Sequence, residues 1–392
     1  MFLPDELKSL SNQVVSQGGN LYVVGGAVRD SLFGFPVHDY DLLITEVHPE
    51  ALKLDGFKLD YDPKGRSFPV WHVRGMLTYE LALPRALGEN QQYTYWTQNT
   101  LQGDLNLRDF TYNAMAYDIQ NGEIIRCDSA SDNFISTHIV SNDVFRHDPI
   151  RILRAFRLAG HTGKGISDAT DKAMRSALKD YAVFQPDRLK AELEKIFNHE
   201  KAEVILDNII RDDVFHKISK ILPPVGIAIQ VDSLKNINKM NKGCQWFAFF
   251  NSLNLAGVST GMFDIFNLPI AVRKTVCELF AYQSSLRYGM TEAELRQIMG
   301  KMGETEFLNL WHWFCLNSPH TEERLMPLVH VCLSNPTHSI KNLAVNGDDL
   351  GELAQGPALG VLLTKLLIMV QKNPKLNDRD SLMAVAEAIV ET

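Results

Sequence analysis

The apolar run Leu21–Val24 ends in a glycine pair, Gly25 and Gly26, and the next apolar run opens on Asp39 and Asp41, in LYVVGGAVRDSLFGFPVHDYDLLI. This order predicts a strand, a short helix over Ala27–Phe33 stopped by Gly34, and a second strand. Residues two apart on a strand share a face, so Asp39 and Asp41 are expected to project their carboxylates together. Adjacent anions repel unless a hard divalent cation sits between them, and oxygen donors of this kind suit Mg²⁺, completed by water and phosphate oxygens. Glycines let a phosphate chain approach the backbone, and a helix beginning near Ala27 offers unpaired N–H groups to an anion. The combination points to a nucleotidyl-transfer site.

A third carboxylate suited to such a site is Glu80 in TYELALPR. Strand alternation puts Glu80 with Thr78 and Ala82, opposite the bulky Tyr79, Leu81 and Leu83, and so on the more open face. Further along, LRDFTYNAMAYD carries Arg108, a planar fork suited to phosphate, and Asp109, an acceptor for a ribose hydroxyl. In HDPIRILRAFRLAG, Pro149 suits a first helical turn with Asp148 near the N-cap. Arg151, Arg154 and Arg157 then form a slanted ridge, with Ile152, Leu153 and Phe156 turned to the core. In QPDRLKAELEKIF, Arg188 and Glu192 are spaced to pair across one turn of a structural helix.

GGAVRD followed by DYD resembles the head of the class II tRNA nucleotidyltransferases (CCA-adding enzymes) and bacterial poly(A) polymerases, within the DNA polymerase beta superfamily. LRDFTYNA is similar to that family's RRDFTINA, with Leu107 where the family has a first arginine, and HDPIR is similar to its E-D-x-x-R, with His147 in place of Glu. The resemblance implies that Asp39 and Asp41 hold Mg²⁺ and act with Glu80 in catalysis. It implies that Gly25, Gly26, Arg29, Arg108, Asp109, Arg154 and Arg157 meet the nucleotide, while Asp148 and Arg151 read the base edge as a protein template. The implied activity is addition or repair of the 3′-terminal CCA of tRNA from CTP and ATP. The rivals are a poly(A) polymerase, an enzyme adding only CC or only A, and a non-catalytic RNA or nucleotide binder. A retained polar loop at 86–103 favours full CCA addition, since family members restricted to CC are associated with lacking it.

Strand signals give way to helical patterns from about residue 142. The expected class is therefore α+β: an N-terminal polymerase-beta-like nucleotidyltransferase head (1–141), then an elongated all-helical neck (142–200), body and tail (201–392). The strands expected in the head are Leu21–Val24, Asp41–Val47, Pro69–Val73 and Leu77–Leu83, after an N-terminal helix over residues 1–20. Residues 86–103 read as a mobile loop. Gly and Pro punctuation at Pro223–Gly226, Gly257–Gly261, Asn335–Thr337 and Gly347–Pro357 divides the helical half. A further match, NGDDLGELAQGPALG, lies near the C-terminus, where Gly356–Pro357 suits a helix start facing a phosphate. Lys235, Lys239 and Lys242 form another possible phosphate strip.

With 39 basic and 47 acidic residues the net charge is −8, so any tRNA contact needs a local basic surface. Five scattered cysteines without a C-x-x-C pair argue for reduced thiols in a cytosolic protein, against zinc or a disulfide framework. No stretch has the length of a membrane span, the late run Pro357–Val370 being too short and carrying Lys365. A soluble cytoplasmic protein is expected.

Overall fold

The computed structural model describes residues 1–62, 69–89, 92–130, 134–180, 183–218, 231–253, 260–287, 289–317, 319–335 and 337–391. Two compact units are present, Met1–Leu193 and Glu194–Thr392.

The first unit opens with α1 (Asp5–Ser16), whose Leu7, Leu10 and Val14 recur at helical spacing and are buried. A sheet follows, built from β1 (Asn20–Val24), β2 (Asp41–Thr45), β3 (Lys58–Asp62), β4 (Val70–Arg74), β5 (Thr78–Ala82), β8 (Met115–Asp118) and β9 (Ile124–Arg126), in the order β3-β4-β5-β2-β1-β8-β9. All neighbours are antiparallel except β2 and β5, which run parallel with Asp41 opposite Glu80. β5 alternates as its sequence requires: Tyr79 and Leu81 are buried, Glu80 and Ala82 half-buried. Between β1 and β2 lies α2 (Gly26–Phe33), closed by a left-handed Gly34.

Two expectations change in this unit. Asp39 is not on the strand. β2 begins at Asp41 because its partner β1 ends at Val24, opposite Asp41, and turns at Gly25 into α2. Asp39 lies in the irregular chain just before the strand, so the shared-face argument does not reach it. The segment 86–103, expected as a mobile loop, carries regular structure: β6 (Arg85–Leu87) pairs with β7 (Tyr93–Tyr95), and α3 (Leu101–Asn106) follows with Thr100 as N-cap. The Asn99 side-chain amide ties the base of this ribbon to the Pro84 and Thr94 carbonyls at 2.9 and 3.2 Å. Residues 90 and 91 of that segment lie outside the described residues.

Helices then take over: α4 (Val144–His147), α5 (Arg151–Thr162), α6 (Asp168–Asp180) and α7 (Pro186–Phe197). Asp148 and Pro149 precede α5 rather than opening it, joined through an Arg151 N–H to Asp148 carbonyl bond of 3.1 Å. Ile152, Leu153 and Phe156 are buried as their spacing demands.

The second unit contains α8 (Ala202–Arg211), α9 (Val214–Ile218), α10 (Lys242–Ser252), α11 (Thr260–Ile265), α12 (Ile270–Tyr282), α13 (Glu292–Met302), α14 (Glu304–Asn317), α15 (Pro319–Ser334), α16 (Pro357–Lys372) and α17 (Arg379–Val390). Helix α10, KGCQWFAFFNS, is buried from Gly243 to Ser252 around its whole circumference. Its Trp246 and Phe249 pack against Phe197 and Phe266, edge-on or at a tilt. A second core joins Leu350, Leu362, Leu366, Val370 and Leu382. Pro357 opens α16 behind Gly356, whose φ is +57°. Pro223–Gly226, and Gly257–Gly261 apart from its last two residues, lie outside the described residues. Among the described residues no helix is long and apolar enough to cross a membrane.

Gly25 joins the sheet to the site. Its φ is +72°, its N–H donates to the Met115 carbonyl, and an added Cβ would sit 2.9 Å from Arg108 Nη1. Gly34 has a similar φ of +75° but open space around it. Gly25→Ala is therefore expected to lose about 1–3 kcal/mol in denaturant unfolding, and more than Gly34→Ala. Equal losses would show that Arg108 yields without cost.

Candidate nucleotide site

A cavity of ≈ 490 Å³ in the first unit is lined by Gly25, Gly26 and Asn113, by seven arginines (Arg29, Arg85, Arg108, Arg151, Arg154, Arg157 and Arg188), and by Asp41, Asp109 and Asp148. A smaller cavity of ≈ 190 Å³ shares Asp41, Arg85 and Arg108 with it and adds Glu80, Asp104 and Tyr95. Most residues singled out in the sequence thus meet in one basin. Glu80 stands one strand from Asp41 in the smaller cavity, and Asp39, exposed before β2, lines neither. Asp41 and Glu80 are direct cross-strand partners, on strands about 4.8 Å apart. Their oxygens are hard donors of the kind Mg²⁺ takes. Among the described residues no three His, Cys, Asp or Glu side chains are grouped as a preformed metal cage.

The guanidiniums are held by carboxylates of the same chain. Arg108 directs Nε and Nη2 at Asp104 Oδ2, both at 2.9 Å, which leaves its Nη1 edge against Gly25. Asp104 also takes Arg85, through Nε at 2.8 Å and through the backbone N–H at 3.2 Å. Arg154 grips Asp109 Oδ2 with Nε at 2.8 Å and Nη2 at 2.7 Å. Asp109 Oδ1 accepts from the Phe110 N–H and the Asn113 amide. Asp109 is 5% exposed and anchors Arg154 while lining the basin.

The ridge on α5 is less open than its spacing suggested. Arg151 is 6% exposed and donates to the Val144 and Leu107 carbonyls at 3.3 and 3.1 Å. The Leu107 contact goes through the backbone, so it does not depend on which side chain stands there. Arg188 and Glu192, expected to pair with each other along α7, take partners outside it instead. Arg188 Nη2 reaches Asp148 Oδ2 at 2.6 Å, and Glu192 Oε1 accepts from Arg157 Nε at 2.6 Å. Burial decides the second pairing: Glu192 is 5% exposed, and the half-buried Arg157 beside it satisfies its charge. Helix α7 thus braces the segment before α5 and α5 itself.

Sequence reasoning passed over Asp104, Arg85 and His161. Asp104 offered only its spacing, an acid four residues before Arg108. Arg85 follows β5 with no signal of its own, and His161, whose Nε2 lies 3.1 Å from Asp30, is revealed only by packing. In the second unit Lys235 pairs with Asp232 at 2.7 Å and Lys242 with Glu194 at 2.9 Å, so two of the three lysines of the expected strip are neutralised.

Burial alone would raise the Asp104 carboxyl, but Arg108 and Arg85 reverse this and hold it below its ordinary 3.8. Asp109 behaves likewise: burial is outweighed by Arg154 and Arg151, and the group is driven well below the carboxylate range. His147 moves down instead, through burial and then the charge of Arg151. A carboxylate depressed in the folded state contributes stability that is complete above its unfolded value and lost as pH falls through the folded value. Stability from Asp104 and Asp109 should therefore be level from pH 7 to about pH 5 and fall steadily in more acidic solution. At pH 7, Asp104→Ala removes a buried carboxylate, strands two half-buried guanidiniums and should lose about 3–5 kcal/mol in chemical denaturation. A loss under about 1 kcal/mol, the scale of an exposed pair, would show that Arg85 and Arg108 rehydrate freely.

Residues 21–132 match the family model for the Poly A polymerase head domain. The chain is 38% identical over 186 residues to the Multifunctional CCA protein of Laribacter hongkongensis (strain HLHK9), covering 44% of each. It thus spans about half the length of the curated relatives it matches. Among solved structures, the Bacillus stearothermophilus CCA-adding enzyme in complex with CTP superposes with a TM-score of 0.74 at 22% identity, over 100% of both chains. A complex of CCA-adding enzyme with ATP superposes with a TM-score of 0.71 at 20% identity, over 98% of this chain and 95% of that one. Residues 21–132 thus match the Poly A polymerase head domain, and the chain as a whole has the fold of the solved CCA-adding enzymes.

Proposed function

We propose that this protein is a Mg²⁺-dependent RNA nucleotidyltransferase that builds or repairs the 3′-terminal CCA of tRNA from CTP and ATP. The observation that carries this reading is a basin with seven arginines against three aspartates on its wall, adjoining the Asp41–Glu80 carboxylate pair. Such a wall suits a polyanion of nucleoside triphosphate size, and the names of the relatives supply the reaction class and the nucleotides.

In this reading Arg29, Arg108, Arg154 and Arg157 meet the phosphates. Each guanidinium has five N–H donors, so it can keep its own carboxylate and still donate to a phosphate oxygen. Gly25 and Gly26 let the phosphate chain approach the backbone at the start of α2. Asp148, steadied by Arg188, and Arg151 present one acceptor and one donor to the base edge. A carboxylate with a guanidinium matches the amino donor and ring acceptor of C or A, and mismatches G and U. Asp41 and Asp39, with Glu80 beside Asp41, would hold Mg²⁺, which activates the primer 3′-hydroxyl and stabilises charge on the reacting phosphate. The protein's own part is positioning and fixed charge. We assign the head to 1–141, the neck with the base template to 142–200, and the tRNA-binding body and tail to 201–392. Five free thiols suit a cytosolic setting.

A tRNA ending at its discriminator base, incubated with CTP and ATP singly and together, should be extended by the CCA triplet and stop. An open ladder of A would indicate a poly(A) polymerase, and arrest after CC, or A added only to a CC end, a partial enzyme. Asp39→Ala and Asp41→Ala should each abolish incorporation while tRNA affinity stays near wild type. Labelled CMP added by either variant at the normal rate would rule out the metal assignment.

A further inference from the structure

We infer that His161, which lines neither cavity, is a positioning residue that sets the Arg29 guanidinium for the nucleotide's phosphates by way of Asp30. This inference rests on the nucleotide reading of the basin. Arg29 is 8% exposed and lines the basin beside Gly26. Asp30 takes one edge of its guanidinium, Nε to Oδ1 and Nη2 to Oδ2, both at 2.8 Å. Yet Arg29 and Asp30 are neighbours on α2, and successive residues on a helix do not face each other. A third group has to hold the Asp30 carboxylate over Arg29, and that group is His161, with Nε2 at 3.1 Å from Asp30 Oδ1.

The contact completes a closed ring. Arg29 Nη1 donates to Asn113 Oδ1 at 2.6 Å, and the Asn113 amide donates to Asp109 Oδ1 at 3.1 Å. Asp109 is gripped by Arg154 of α5. Arg154 and His161 are seven residues apart, almost two full turns, so they stand on one face of α5. That helix therefore holds Arg29 from both sides, through Asp109 and Asn113 at one end and through Asp30 at the other. His161 closes the ring, and without it Asp30 returns to the direction its own position on α2 dictates. The His161 ring also packs against Phe35, with centroids 4.8 Å apart.

The full chain with His161→Phe keeps an aromatic ring against Phe35 and deletes the donor, whereas His161→Gln keeps an amide donor for Asp30. Dissociation constants for CTP and ATP are measured without tRNA, kcat and KM with it, and melting temperature on the same samples. For His161→Phe we expect the nucleotide dissociation constant and KM to rise about 5- to 10-fold, the scale of one net hydrogen bond acting at one remove from the ligand. Its kcat should stay within about twofold of wild type, and His161→Gln should recover most of the affinity. Asp30→Ala should weaken binding similarly, and the double variant no further. Unchanged nucleotide affinity in His161→Phe, a loss confined to kcat and melting temperature, failure of Gln to rescue, or additive losses in the double variant would each overturn the inference. Wild-type protein that binds CTP but extends no tRNA would sink the functional reading and leave this role standing. Wild-type protein that binds neither nucleotide would overturn both.

Discussion

Pairing of guanidiniums with buried and half-buried carboxylates is the constraint on which the rest of the site depends. A basin carrying seven arginines cannot stay folded on like charges alone, since each uncompensated buried charge costs several kcal/mol. Asp109 and Asp148 on the wall, with Asp104, Asp30 and Glu192 beside it, solve this, each taking at least one guanidinium. The same contacts fix where the cations point. Arg108 is held with one edge toward Gly25, and Arg154 is held by both of its nearest donors. An array of charge set during folding needs little rearrangement when a ligand arrives, which is the usual source of electrostatic rate enhancement.

The legible parts of this molecule were those governed by local rules. Val24 to Gly25, the stop at Gly34, the alternation around Glu80 and the apolar stripe of α5 follow from glycine freedom and from the strand and helix periods. The parts that escaped were set by partners distant in the chain. Asp39 fell off its strand because β1 runs out at Val24. Arg188 and Glu192 passed over each other because α5 and the segment before it offered better-buried partners. The ribbon Arg85–Leu87 with Tyr93–Tyr95 is three residues a side, too short for any periodicity to announce it. His161 had no sequence signal at all, because its role exists only once α5 lies against α2.

The second unit shows the opposite balance. Its helices were expected from periodicity, yet the family model stops at residue 132 while the solved folds superpose over the whole length. The aromatic part of α10 is pinned by little beyond apolar character and volume: Trp246, Phe247, Phe249 and Phe250 are all wholly buried among other aromatic rings. Cores of this kind accept many substitutions that conserve volume and pattern. A fold can thus persist while the residues that build it turn over, whereas a wall of paired charges cannot.

The single parallel contact in an otherwise antiparallel sheet has a kinetic corollary. β2 and β5 are joined by a long connection that includes β3 and β4, as parallel neighbours require. Asp41 and Glu80 meet through a contact of high sequence separation, the type that forms slowly because loop-closure entropy precedes any gain. During synthesis the chain must emerge past Ala82 before those two acids can lie side by side, so no shorter nascent fragment presents the pair.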